Sequence, residues 1–355
     1  MAGKVLVLFG GRSAEREVSC VSASAVLRNM GPGRALLVRI APDGSWRYQG
    51  DPGAFARHPE PARFPFSRTP ARLEPGPRPA LVVEGGRRFF PAAAFPVLHG
   101  PFGEDGTIQG LLEMAGLPYV GSGVLGSSVG MDKVLTKRLA AQAGLPLLPY
   151  AVLDSARDLG AARRLRLPVF VKPARLGSSV GVYKVKRASE LAGSVRKAFR
   201  FDSTVLVEQG VSAREIECAV LGTTLEPKAA SAVGEIRPNA EFYSYEAKYL
   251  DPNGAELIVP ARIPGALARR ARTLAELAFK TLGCHGLARV DFLLDRASGR
   301  LYFNEVNTLP GFTAISMYPR LWAASGLSFP KLVDKLLRLA LKRHAAQAKL
   351  RITRD

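Results

Sequence analysis

The 355-residue chain is poor in cysteine, with only Cys20, Cys218 and Cys284, all far apart. No ligand-type spacing joins them. That excludes a disulfide framework and a cysteine zinc site, and leaves three buried thiols as the expectation. Long apolar runs are also missing. None reaches the roughly 18 residues that suggest a membrane span. The apolar run at 5–9 is too short for the core of a signal peptide, so it reads as a buried strand of a cytoplasmic protein. Acidic residues are the third shortage. Against 50 Lys and Arg there are 30 Asp and Glu, a formal charge of +20. Such a charge suits nucleic-acid binding. Yet the basic residues are scattered and mostly Arg, with no run of five and no aromatic-interleaved basic repeat. This argues against nucleic acid as the main partner and is compatible with a basic cleft for an anionic nucleotide.

What remains is a soluble globular composition, 47% hydrophobic and 23% charged, long enough for two or three domains. The chain opens as strand, Gly10-Gly11 turn and helix, the start of an α/β unit. Glu15 falls at the start of that helix. It either pairs with the helix dipole or points into a cleft at the strand's C-terminal end. Residues 42–92 are rich in Pro, Gly and Arg and read as an irregular insertion with a hairpin near 81–90. His99 ends a strand before the glycine loop 100–106, and Thr107 is a candidate cap for a helix over 107–115. Another helix is expected from 131–133 to 143.

The strand over 167–173 carries Lys172 near its end. It runs into Gly177-Ser178-Ser179-Val180-Gly181, and a second strand follows at 182–185. Backbone N–H groups and hydroxyls in such a loop can wrap phosphates, so it reads as a flap over a nucleotide or as a plain hairpin. Glu208 sits at the end of a strand over 204–210. Residues 215–221 alternate as a half-buried strand, and 230–236 read as another. Residues 243–249 read as an ordered loop near a ligand. Helices are expected over 263–283 and 328–341.

Two strands near the end, 288–295 and 301–307, are joined by a short polar link that suits a hairpin. Glu305 and Asn307, two apart, share a face. If Asp295 pairs with Leu301, Asp291 faces Glu305 and Arg289 faces Asn307. Facing carboxylates repel by about 4 kcal/mol at about 4 Å in an effective dielectric of about 20. A divalent cation between them would turn that cost into a site, and the Asp, Glu and Asn oxygens suit Mg²⁺. An exposed hairpin with one polar face is the plainer alternative.

The order of these features resembles the ATP-grasp superfamily. Seven strings go further: Gly10 to Ser19, His99-Gly100 with Gly103-Glu104-Asp105-Gly106, Gly121-Ser122-Gly123, Met131-Asp132-Lys133, Lys172-Pro173 with the 177–181 loop, Tyr245-Glu246-Ala247-Lys248-Tyr249, and Asn304 to Gly311. Together they resemble the D-alanine–D-alanine ligases over residues 4 to about 340. The resemblance implies an α/β (α+β) ATP-grasp fold of three subdomains, 1–122, 123–212 and 213–355, with the nucleotide between the last two. It implies ATP-dependent joining of two D-alanines through an acyl phosphate for peptidoglycan precursors, with two Mg²⁺ or Mn²⁺ ions, in a homodimer.

Roles implied by the resemblance follow residue by residue. Lys133 and Lys172 contact phosphates, Glu208 and Glu215 the adenine side and ribose, and Ser178 and Lys248 also belong to the nucleotide site. Asp291, Glu305 and Asn307 are metal ligands. Arg289 and the Gly311 N–H stabilise the transferring phosphoryl and the oxyanion. Glu15 holds the first D-alanine's ammonium, with His99 near its carboxylate. Ser316 and Met317 receive the second D-alanine's carboxylate. Ser178, Tyr249 and Glu15 form a triad that closes the site. Tyr249 in this position goes with D-alanine rather than D-lactate as second substrate.

Overall fold

A computed structural model describes residues 3–239, 254–313 and 315–351. The first sheet runs β3 (Trp46–Gln49), β2 (Ala35–Ile40), β1 (Val5–Gly10), β7 (Ala93–Val97). β1 lies parallel to both β2 and β7. All six residues of β1 are buried, as a central parallel strand covered on both faces requires. Because β1 and β7 are parallel neighbours, the loops after them leave the same sheet edge. That brings Glu15 and His99 together although they are 84 positions apart.

The 42–92 segment is more regular than its composition suggested. Beside β3 it forms a three-stranded sheet of β4 (Ala71–Glu74), β5 (Ala80–Val83) and β6 (Arg88–Phe89). β5 and β6 pair as the expected hairpin. The helix expected from 131 is two helices, Val124–Met131 and Lys133–Gln142. Asp132 caps the second by accepting from the N–H groups of Val134 and Leu135. Thr107 is not a cap. Gly106 takes that position in the left-handed conformation, and Asp105 accepts from the Thr107 N–H.

The second sheet is antiparallel: β10 (Tyr183–Val185), β9 (Val169–Pro173), β11 (Val205–Gln209), β8 (Tyr150–Leu153). The loop joining β9 to β10 is the Gly-Ser flap. Its turn needs glycine at Gly181, where φ is +69° and a Cβ would lie 2.8 Å from the Phe201 ring. This sheet packs on a separate core that includes Val171, Val195 and Val207.

The third sheet runs β15 (Ala255–Ile258), β14 (Gly234–Pro238), β12 (Ala213–Gly222), β16 (Gly286–Asp295), β17 (Leu301–Asn307), with β13 (Pro227–Ala229) beside β12. The strand expected at 230–236 starts later, as β14. Helix Gly265–Thr281 starts two residues later than expected, and helix Phe329–Gln347 runs six past its expected end. One core joins the first sheet, through Val7 and Phe9, and the helix Arg16–Met30 behind it, through Leu27, to the last two helices, through Leu321, Leu332 and Leu336. Among the described residues, no helix is long and apolar enough to cross a membrane.

Candidate functional site

A cleft of about 1370 Å³ lies where the three sheets meet. A single small ligand usually needs roughly 300–1,000 Å³, so this one has room for several reactants. Every described site residue named from the sequence lines it, from Glu15 and His99 through Lys133, Lys172, Ser178, Glu208 and Glu215 to Arg289, Asp291, Glu305, Asn307, Gly311, Ser316 and Met317. Lys248 and Tyr249 lie outside the described residues.

The flap is closed down on the first sheet. Ser178 Oγ donates to Glu15 Oε1, and Lys133 Nζ donates to the Leu176 carbonyl. Ser178 and Ser179 both have positive φ, 52° and 60°, a conformation that costs a non-glycine residue roughly 1–3 kcal/mol and must be held by such contacts. Glu15 is buried, wedged against Gly100. A Cβ there would fall 2.6 Å from Glu15 Oε2.

Both ring nitrogens of His99 are engaged. Nδ1 is 3.1 Å from the Leu309 carbonyl, so it carries the proton and donates. Nε2 then accepts from Ser22 Oγ at 3.2 Å, and Ser22 Oγ accepts from the Phe312 N–H at 3.3 Å. Burial pushes the imidazole's pKa down, which favours the neutral form. His99 and Ser22 thus hold the segment on both sides of Gly311. Glu104 adds to the clamp, accepting from the N–H groups of Gly100 at 2.7 Å and Leu309 at 3.4 Å. Burial, with Glu15 nearby, pushes the Glu104 carboxyl up to about 8.

In the second sheet Glu208 is buried between two lysines. Lys137 donates to Oε1 and Lys172 to Oε2 at 2.7 Å. Burial alone would raise the Glu208 carboxyl, but the two ammonium groups bring it down to about 2. Lys137 was not singled out from the sequence. A signal was there, because it is four residues after Lys133 on one helix and so shares its face.

The third sheet carries the acidic end. Asp291 pairs with Glu305 and Arg289 with Asn307, as expected. The assumed anchor is wrong, however. Leu294, not Asp295, pairs with Leu301, and the register shifts between Asp291 and Phe292. The extra residue, Asn304, restores the pairing at the site. Arg289 forks onto Asp291, Nε to Oδ1 at 2.8 Å and Nη2 to Oδ2 at 2.7 Å. Its Nε is also 3.0 Å from Glu217 Oε2. Burial disfavours the guanidinium's charge, but these carboxylates raise its pKa well above the ordinary value. Glu217 was also missed, although it shares a strand face with Glu215.

Asp291, Glu305 and Asn307 offer hard oxygen donors on adjacent strands, chemistry that fits Mg²⁺ or Mn²⁺. Among the described residues, no three His, Cys, Asp or Glu side chains converge as a metal cluster. Asp291 is instead turned to Arg289, and Asn307 Nδ2 donates to its Oδ2 at 3.0 Å. Beyond them, Ser316 Oγ accepts from the Thr313 N–H at 3.0 Å. Met317, at the start of helix Met317–Ala324, also lines the cleft, and its side chain packs in the core against Gly234.

Known proteins resemble this chain over nearly its whole length. Residues 4–122 match the family model described as D-ala D-ala ligase N-terminus, and residues 139–338 the one described as D-ala D-ala ligase C-terminus. The chain is 48% identical to D-alanine--D-alanine ligase A of Bradyrhizobium diazoefficiens, over 98% of this chain and 97% of that one. It is 47% identical to the D-alanine--D-alanine ligase of Mycobacterium avium, over 96% and 97%. Among solved structures it is similar to the D-alanine-D-alanine ligase from Coxiella burnetii, with TM-score 0.84, 37% identity and coverage of 98% and 97%. It is also similar to the VanG D-Ala:D-Ser ligase from Enterococcus faecalis, with TM-score 0.82, 34% identity and coverage of 96% and 100%. With both family models matched in order and near-full-length relatives above 45% identity, the chain belongs to the D-alanine–D-alanine ligase family, whose fold is ATP-grasp.

Proposed function

We propose that this chain joins two D-alanines at the expense of ATP, making D-alanyl-D-alanine for peptidoglycan precursors in the cytoplasm. The observation that carries the reading is the single cleft in which the flap, the Lys172–Glu208 pair and the Arg289–Asp291–Glu305–Asn307 cluster meet. The chemical problem is that a carboxylate is a poor electrophile. ATP transfers its γ-phosphoryl to a carboxylate oxygen of the first D-alanine, giving ADP and an acyl phosphate. The amine of the second D-alanine attacks the acyl carbon, and phosphate leaves the tetrahedral intermediate. Phosphoryl transfer needs positioning and charge neutralisation more than covalent help.

The chain's residues divide that work. Lys133 and Lys172 hold phosphates, while Glu208 and Glu215 take the adenine side and ribose. Both Glu208 oxygens already hold lysines, so its contact with the nucleotide uses the lone pairs that remain. Glu15 holds the first ammonium from its place under the flap. His99 and Ser22 set the loop that presents the Gly311 N–H, and Arg289 stabilises the transferring phosphoryl. Ser316 and the Met317 N–H, at a helix start, receive the second carboxylate. Ser178, Tyr249 and Glu15 form the triad that closes the site and keeps water from the acyl phosphate, and Lys248 serves the nucleotide. Asp291, Glu305 and Asn307 would hold Mg²⁺ or Mn²⁺, two ions, which when bound neutralise charge on the phosphates. We place the subdomain divisions at 1–122, 123–212 and 213–355, and the functional unit is a homodimer.

The test is ADP release with Mg²⁺. D-Alanine should stimulate it, and L-alanine should not. Release that ignores D-alanine overturns the reading. Product mass with D-lactate or D-serine present separates the dipeptide from the alternatives. The likeness to a D-Ala:D-Ser ligase makes that arm informative.

A further inference from the structure

Glu217 has no role in the reading above. It lies opposite Asp291 across β12 and β16, and Asp291 lies opposite Glu305 across β16 and β17. Three carboxylates therefore form one row over three neighbouring strands, and the Arg289 guanidinium straddles the first two. Its Nε is 2.8 Å from Asp291 Oδ1 and 3.0 Å from Glu217 Oε2, and its Nη2 is 2.7 Å from Asp291 Oδ2. Asp291 Oδ2 also accepts from Asn307 Nδ2 at 3.0 Å. An ionised carboxylate has about four acceptor directions in all. Two of these at Oδ2 are taken, so a cation that binds Asp291 there must displace a donor. A dication also repels the guanidinium beside it. The nearest anion that can keep the guanidinium in the cleft is Glu217, which is buried and already in contact with it.

We propose that Arg289 competes with the cation for Asp291, and that Glu217 is the seat to which the guanidinium moves when the cation takes Asp291. Glu217 is thus a positioning residue. It holds Arg289 over the transferring phosphoryl group once the cation has entered. This rests on the cation site proposed above.

The experiment is Mn²⁺ titration of the full chain, with and without ADP, followed by the EPR signal of free Mn²⁺. It uses Glu217→Gln, Arg289→Met and the double variant. Arg289→Met should tighten Mn²⁺ binding. Glu217→Gln should weaken it by about tenfold in the parent, a coupling of the size seen for contacting residues, and should have little effect in the Arg289→Met background. Equal losses in both backgrounds mean that Glu217 acts only as a charge, and this overturns the inference while leaving the proposed function standing. A parent protein that binds no Mn²⁺ under either condition, yet makes dipeptide, overturns the cation site and the inference with it. If Glu217→Gln fails to fold, Arg289→Met decides alone, because unchanged or weaker Mn²⁺ binding rules out competition at Asp291.

Discussion

Lys137→Met tests how the nucleotide end of the cleft is held. The Lys137 side chain is buried, with relative exposure of 2%, and Glu208 is at 3%. Methionine keeps most of the aliphatic stem and removes the charge. Glu208 is then left with Lys172 alone. Removing one partner of a buried pair costs about 3–5 kcal/mol. With Lys172 still in place we expect about 2–4 kcal/mol. The depression of the Glu208 carboxyl from 4.5 to about 2 corresponds to a net of about 3 kcal/mol for both lysines together, at about 1.4 kcal/mol per unit, which bounds the share of Lys137 from above. Its sign fixes the pH dependence. A depressed carboxylate contributes fully above its unfolded value of 4.5 and loses that contribution as pH falls through about 2. The deficit of Lys137→Met should therefore be largest near neutrality and shrink below pH 4.5. Urea midpoints at pH 7 and pH 4 for the parent, Lys137→Met, Glu208→Gln and the double variant would measure it. The double variant should lose less than the two single losses combined. Additive losses, or a Lys137→Met cost under about 1 kcal/mol, would refute a strongly coupled buried pair.

Other positions make separate predictions. Glu104 has a raised pKa, about 8 against 4.5, so its stabilising contribution is complete below 4.5 and is lost as pH rises toward 8. Glu104→Gln should flatten that fall, sparing about 1–3 kcal/mol after allowance for solvent in the cleft. Parallel Tm-versus-pH curves would contradict it. Gly100→Ala places a methyl against Glu15 at a φ of +72°. It should cost about 1–2 kcal/mol in backbone strain and raise the KM for D-alanine more than that for ATP. Equal kinetics would show that Glu15 has room to move. Tyr249→Phe should relax selectivity against D-lactate, read by the mass ratio of depsipeptide to dipeptide. An unchanged ratio would place that selectivity in another residue.

Part of the site was legible because local geometry repeats along the chain. Glu305 and Asn307 share a face at a spacing of two, whatever their surroundings. The same rule would have found Glu217 beside Glu215, and the helical rule Lys137 four after Lys133. These two were missed because a shared face does not say what lies opposite. Asp291 does face Glu305, but a bulge at Asn304 corrects a pairing that was assumed one residue out. Hydrophobic patterning marks where a strand runs, while a single inserted residue is invisible to it.

The sequence alone determined the family resemblance, the strands and turns that carry the site, and which polar side chains stand at strand ends. Those follow from periodicity, glycine placement and the seven ordered strings. Only the tertiary structure decided the partners. His99 spends both ring nitrogens on Leu309 and Ser22, Glu208 is shared by two lysines, Arg289 rests on Asp291 and Glu217, and Met317 turns its side chain into the core. Each of these contacts joins residues that strand register, close packing or the closed flap brings together. A buried charge takes whichever counter-charge the packing brings within reach, and no spacing along the chain specifies which one that will be.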